Sequence, residues 1–191
     1  MRIVGGLWRG RPLKAPEGTS VTRPSTDRLR EAIASMVQSY FGLDLSDVSV
    51  LDAFAGSGAV GLELLSRGAV HATFMESDRK ALRCLKANIA ALGCDPARVS
   101  VLTGDSGRLA SVPALEGAPF SAVFLDPPYA KDPELSAKVV ECLLAAGHLQ
   151  DGALLVHERA ADAAPLQVAG AALVKSRSHG GTVVELLRVS D

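Results

Sequence analysis

From Val48 onward, short apolar runs alternate with segments in which apolar residues recur every three or four positions, the pattern of strands separated by helices. It predicts strands over Val48–Phe54, His71–Glu76, Val99–Thr103, Ser121–Leu125 and Ala153–His157. Between them fall helices over Ala59–Ser66, from Asp78 to a stop at Gly93 with Leu82, Leu85, Ile89 and Leu92 on one face, over Leu109–Leu115, and over Leu135–Ala146. The tail, Ala169–Ser176 and Thr182–Val189 around Gly180-Gly181, reads as an antiparallel hairpin. Strands joined through helices make a mostly parallel sheet with helices on both faces, so the expected fold is a doubly wound α/β domain whose ligands sit beyond the carboxyl ends of the strands.

The first 24 residues alternate apolar and basic positions, punctuated by Gly5-Gly6, Gly10 and Pro12, and predict a short hairpin or extended arm. Ser25 or Thr26 can cap the next helix, which has Asp27 in its first turn, Leu29, Ile33, Met36, Val37 and Tyr40 on one face, and Gly42 at its end. The chain thus divides into an N-terminal extension over 1–45 and an α/β domain over 46–191. At 191 residues, 48% hydrophobic and 21% charged, it has a globular composition, and no apolar run approaches the roughly 20 residues of a membrane span. The N-terminus lacks a secretory apolar core, so a cytoplasmic location is expected. Cys84, Cys94 and Cys142 are far apart with no C-x-x-C, which suggests neither a disulfide framework nor a metal site. The net charge of −1 hides an asymmetry: residues 1–30 carry +5 and the remainder −6. Clustered arginines suit phosphates, which makes Arg9, Arg11, Arg23, Arg28 and Arg30 candidate RNA contacts; a solvated basic face is the alternative, and Arg30 could equally pair with Glu31 or Asp27.

The chemistry gathers at strand ends. Asp52-Ala53-Phe54-Ala55-Gly56-Ser57-Gly58-Ala59-Val60-Gly61 contains G-x-G-x-x-G after the first strand, where glycines let a ligand approach the backbone and a helix pack tightly. Glu76 closes the second strand, where a carboxylate can accept from ribose hydroxyls. A nicotinamide cofactor would place a pyrophosphate at this turn, whereas S-adenosylmethionine brings an ammonium and a sulfonium; Asp52, just before the glycines, suits the cations. Phe54 is a further cofactor candidate, with turn packing as its alternative, and Asp105 either accepts from an adenine amino group or caps the following helix. Asp126-Pro127-Pro128-Tyr129 follows the apolar run Ala122-Val123-Phe124-Leu125. Two prolines make a rigid bend there, on which a planar ring can stack on Tyr129 while its amine donates to Asp126 and the Pro127 carbonyl. His157-Glu158-Arg159 is expected to form ion pairs at a strand end, and Asn88 to lie on a helix surface.

With Asp52, Gly56, Gly58, Glu76, Asp105 and Asp126–Tyr129 in this order, residues 48–189 resemble a class I S-adenosylmethionine-dependent methyltransferase. That resemblance implies a seven-stranded sheet ending in the antiparallel hairpin, and the D-P-P-Y motif implies methylation of an exocyclic or amide nitrogen. Arg2-Ile3-Val4-Gly5-Gly6, Trp8-Arg9-Gly10-Arg11, Arg23-Pro24-Ser25-Thr26-Asp27-Arg28-Leu29-Arg30-Glu31, Leu51–Gly58, Gly61-Leu62-Glu63 and Ser66-Arg67-Gly68-Ala69 look like the RsmD family, with Ser25 and Ala53 as mild departures. The resemblance implies methyl transfer to N2 of a guanine in bacterial 16S ribosomal RNA. Asp126, Pro127 and Tyr129 would hold the base, the substrate being RNA or an assembling small ribosomal subunit; a monomer without a metal is expected. Rival readings are an N-methyltransferase of DNA adenine or protein glutamine, and a non-catalytic RNA-binding relative.

Overall fold

The computed structural model describes residues 1–16, 26–128 and 133–190. Its central strand, β1 (Ser49–Asp52), is buried at every position, which explains a sequence with no polar alternation. Parallel partners flank it: β2 (His71–Glu76) on one side, itself paired to β3 (Val99–Thr103), and β4 (Phe120–Leu125) on the other, paired to β5 (Leu149–Ala160). The terminal hairpin adds β6 (Ala171–His179) and β7 (Thr182–Val189), with β7 inserted antiparallel against β5 and β6 at the edge, giving the order β3-β2-β1-β4-β5-β7-β6. The chain proceeds outward from β1 to β3 and then returns to β4, so strand order reverses between β1 and β4. A crevice for ligands is expected beyond those two carboxyl ends.

Helices cover both faces. On one lie α1 (Asp27–Tyr40), α2 (Ala59–Ser66) and α3 (Arg79–Leu92), packed over Val50, Ala122 and Leu154; on the other, α4 (Ser106–Leu109) and α5 (Pro133–Ala145) accompany Leu51, Val123 and Leu155. The caps follow the sequence signals: Thr26 Oγ1 accepts from the Leu29 N–H at 3.2 Å, and Asp78 Oδ1 from the Ala81 N–H at 2.8 Å.

Several boundaries differ from expectation. The helix expected over Leu109–Leu115 is instead α4, because Asp105 caps it from upstream through the Arg108 N–H, and Pro113 disfavours helical backbone at Val112. The β5 strand outruns the expected Ala153–His157, since β7 pairs with it as far as Ala160 and Phe120 of β4 pairs with Leu149. The β1 ladder stops at Asp52 rather than Phe54, although the Ala53 and Ala55 N–H groups still donate to Phe124 and Met75 carbonyls at 3.0 Å.

The N-terminal residues form a hairpin, with the Ile3 N–H donating to the Arg11 carbonyl and the Leu13 N–H to that of Met1, both at 3.0 Å. Ile3, Trp8 and Leu13 are buried in the same core as α1 and α2, so the expected extension over 1–45 shares packing with 46–191. Buried Glu63 of α2 accepts from the Val4 and Gly5 N–H groups at 2.7 and 2.8 Å. Gly6 has φ +75°, and a Cβ there would lie 1.9 Å from the Ser66 carbonyl oxygen, so any other residue would push the hairpin off α2.

Candidate active site

Residues paired across a parallel ladder face the same side of the sheet, and a step of two along a strand returns to that side. Asp52 pairs with Phe74 and with Phe124, and Phe124 pairs with Val156. Two residues further on stand Glu76, Asp126 and Glu158. Four carboxyl groups therefore occupy one face at the carboxyl ends of β2, β1, β4 and β5, astride the reversal of strand order.

Glu76 is the most heavily bonded of the four. Its Oε2 accepts from the Gly56 N–H at 2.7 Å, and its Oε1 from the Ser77 and Asp78 N–H groups at 2.7 Å each. The carboxylate is thereby fixed against the glycine loop. Asp52 is 2% exposed and accepts from the Gly61 N–H at 3.2 Å. Burial pushes its carboxyl up to about 7, countered by that N–H and reinforced by the negative charges of Asp126 and Glu76. Asp126 is likewise pushed up to about 7 by burial, and Glu158 to about 8 by burial and then by the charge of Asp126. With Asp52, Asp126 and Glu158 all held up by burial, this row of carboxyls is the set of acceptors that an ammonium and a sulfonium would satisfy and a pyrophosphate would not.

The three glycines of the loop divide their work. A Cβ on Gly56 (φ +55°) would meet nothing within 4 Å, so this residue opens onto the crevice, whereas a Cβ on Gly58 would lie 2.3 Å from Leu85 Cδ1 and one on Gly61 2.4 Å from the Phe74 ring. Those two let α2 and α3 pack close to the sheet. Phe54 is partly buried against the core beneath α4 and α5. Asp105 is exposed beyond β3, with Oδ1 holding the cap of α4. Pro127 is buried directly after Asp126, while Tyr129 and Arg23 lie outside the described residues.

The basic segment separates into surface and interior. Arg9 and Arg28 are exposed and line one groove of about 550 Å³ with Val4, Gly5, Glu31 and Arg67. Arg30 must be removed from the expected phosphate contacts: it is 1% exposed, with Nη2 on Asp27 Oδ1 at 2.5 Å and on the Arg2 carbonyl at 2.7 Å. Arg11 donates to the Leu92 and Ala91 carbonyls at 3.0 and 2.5 Å, which spends its guanidinium on the C-terminus of α3.

Asn88 is another correction. Expected on a helix surface, it is 1% exposed; its Oδ1 accepts from the Lys14 N–H at 2.8 Å and its Nδ2 donates to the Ser57 carbonyl at 2.9 Å. One side chain thus ties the N-terminal segment to the glycine loop. An asparagine among the apolar positions of α3 was the available signal. Nor does the His157-Glu158-Arg159 run act as one unit. Arg159 Nε donates to Glu185 Oε1 at 2.8 Å, as expected of an ion pair, and His157 Nδ1 lies 3.2 Å from Glu185 Oε2 with burial favouring its neutral form, but Glu158 points to the opposite face. Alternation along a strand gave that signal in advance.

The sequence family described as Conserved hypothetical protein 95 matches residues 1–188. The chain is 39% identical over 158 residues to the ribosomal RNA small subunit methyltransferase D of Escherichia coli, covering 83% of this chain and 74% of that one. Among solved structures, "Putative methyltransferase yhhF from Escherichia coli" superposes with a TM-score of 0.81 at 33% identity, over 100% of this chain and 98% of that one. An RNA methyltransferase from Salinibacter ruber in complex with S-adenosyl-L-homocysteine shares the fold at TM-score 0.64 and 15% identity, over 88% of this chain and 95% of that one.

Proposed function

The chain belongs to the family described as Conserved hypothetical protein 95, and from that premise we propose that it methylates the exocyclic N2 of a guanine in small-subunit ribosomal RNA, with S-adenosylmethionine as the donor. The observation that carries this reading is the row of carboxyls astride the strand-order reversal, with the Asp126-Pro127 bend one strand from the glycine loop. Bound there, the cofactor supplies an electrophilic methyl group and leaves as a neutral thioether. Asp52 would hold its cationic portion, Glu76 its ribose and Asp105 its adenine, while Gly56 would leave room for it.

Asp126 and the Pro127 carbonyl accept hydrogen bonds from the two N2 hydrogens, drawing the nitrogen lone pair out of conjugation with the ring. The rigidity of Asp-Pro-Pro holds those acceptors still, so much of the acceleration is positional. As the N2–CH3 bond forms, N2 must release one proton, and the Asp126 carboxylate receives it. Tyr129, next after Pro128 in sequence, stacks on a base turned out of its RNA context. Residues 1–45 are the RNA-facing part, with Arg9, Arg28 and Arg23 as phosphate contacts, and 46–191 the catalytic part. All four carboxyls come from one chain, so a monomer suffices. Such a substrate, as RNA or as an assembling ribosomal particle, is cytoplasmic. Among the described residues no helix is long and apolar enough to cross a membrane.

Transfer of labelled methyl groups to small-subunit ribosomal RNA, duplex DNA and soluble protein in parallel tests this reading against its rivals. Label in the RNA is the expected result; label confined to DNA or protein would overturn it.

A further inference from the structure

Three of the four carboxyls have a task in the proposed reaction, and Glu158 has none. Leu125, the last residue of β4, pairs with His157, so one step beyond sets Asp126, just past the strand, beside Glu158, near enough for its charge to act on that carboxyl. Glu158 stands one strand further from the glycine loop than Asp126, where the body of a base would extend if its amine lay at Asp126. Its Oε2 is buried, and among the described residues it has no hydrogen-bond partner. Buried acceptors in folded proteins are nearly always satisfied, so one left wanting beside a ligand crevice implies a donor that arrives with the ligand.

The kind of donor follows from the neighbouring group. If Asp126 accepts from an exocyclic amine, Glu158 meets the ring position next to that amine. Guanine carries N1–H there, a second donor beside the first. Adenine has a lone pair at N1 beside its amino group, cytosine has one at N3, and a glutamine amide has its carbonyl oxygen; each would set an acceptor against a carboxylate. Guanine also resolves the electrostatic conflict of the empty pair. Burial first, and then the charge of Asp126, hold the Glu158 carboxyl up to about 8 in the free protein, and N–H donors arriving with guanine would favour its ionised form. Three N–H groups, one on N1 and two on N2, match three acceptors: Glu158, Asp126 and the Pro127 carbonyl.

We infer that Glu158 selects guanine by accepting a hydrogen bond from N1–H next to the amine held at Asp126. This inference rests on the guanine-N2 reading and adds to it the residue that distinguishes guanine from other amines. A site built to bond a particular donor rejects an analogue lacking it far more strongly than an apolar pocket rejects a misfit.

The test uses the full chain and two synthetic fragments of small-subunit ribosomal RNA, one with guanine and one with 2-aminopurine at the methylated position. 2-Aminopurine keeps the exocyclic amine but replaces N1–H with a lone pair. The unaltered protein is expected to favour guanine by about a hundredfold or more in kcat/KM. Glu158→Gln, whose amide can donate to that lone pair, should bring the ratio close to one or invert it, and Glu158→Ala should also lower it. Affinity for S-adenosylhomocysteine should stay within a few-fold in both, which reports an intact fold. Where a variant turns over too slowly to measure, the same ratio is read from equilibrium binding of the two RNAs. An unchanged guanine preference in both variants would overturn the role of Glu158 while leaving guanine-N2 transfer standing. Absence of N2-methylguanine with the unaltered protein would instead overturn the reading beneath it.

Discussion

Glu158 and Glu185 sit on adjacent strands of one sheet and are treated in opposite ways. Glu185 is buried on the face beneath α4 and α5 and accepts from Arg159 Nε at 2.8 Å and the Leu166 N–H at 3.1 Å, with His157 Nδ1 3.2 Å away; these partners overcome burial and hold its carboxyl below the usual range. Glu158, one residue along β5 from His157, faces the crevice, has a buried oxygen with no partner among the described residues, and titrates near 8. A saturated carboxylate is a strut. An unsatisfied one beside a second raised carboxyl costs stability, and on the proposed reading that cost is recovered when donors arrive with a ligand. What separates Glu185 from Glu158 is therefore how many donors each one faces.

Removing the strut should produce the largest effect. Glu185→Ala leaves Arg159 and His157 without their shared acceptor, and we expect about 3–5 kcal/mol of lost stability, read as a shifted denaturant midpoint. A loss below 1 kcal/mol would erase the contrast. On the crevice side, Asp126→Ala should reduce methyl transfer by roughly 10²–10³-fold or more while S-adenosylhomocysteine affinity changes little. Lost cofactor binding with chemistry intact would reassign Asp126 to the cofactor. Glu76→Ala should do the reverse, weakening cofactor affinity roughly tenfold or more in a calorimetric titration, since it removes both the proposed ribose acceptor and the anchor of Gly56.

The two faces should also differ in pH response. In the proposed reaction Asp126 must be ionised to receive the N2 proton, and its carboxyl is held up to about 7 by burial, with Asp52, Glu76 and Glu158 as the acidic groups on the same face. The rate of methyl transfer is expected to fall as pH drops through about 7, and a flat profile from 6 to 8 would contradict that. For stability the signs are opposite on the two faces. The raised carboxyls favour the folded state at low pH and lose that contribution as pH rises through 7 to 8, whereas the lowered Glu185 contributes above the unfolded carboxylate range and is lost on acidification. Glu158→Gln should accordingly raise the melting temperature at pH 9 by a few degrees and leave it nearly unchanged at pH 4.

Much of this was legible in the chain. The bounds of α2, β2 and β3 agree with the apolar pattern, because in those elements the apolar run is broken at both ends by polar or glycine residues. Pattern failed where partners decide: β5 is extended by β7, and α4 is drawn upstream by the Asp105 cap. For the site, Asp52, Glu76 and Asp126 could be placed at strand ends, but that Glu158 joins them requires the register between β4 and β5. Arginine count exaggerated the charge left for phosphates: Asp27, three residues before Arg30, offered the pairing alternative, but nothing local marks Arg30 as buried or Arg11 as a cap on a helix distant in sequence.

The most direct test of the account is to incubate the protein with small-subunit ribosomal RNA and isotopically labelled S-adenosylmethionine, digest the RNA to nucleosides, and identify the labelled one by mass spectrometry. The account predicts N2-methylguanosine at a single position, lost with Asp126→Ala. Label in methyladenosine or methylcytidine, or guanosine methylated at a ring nitrogen, would contradict it.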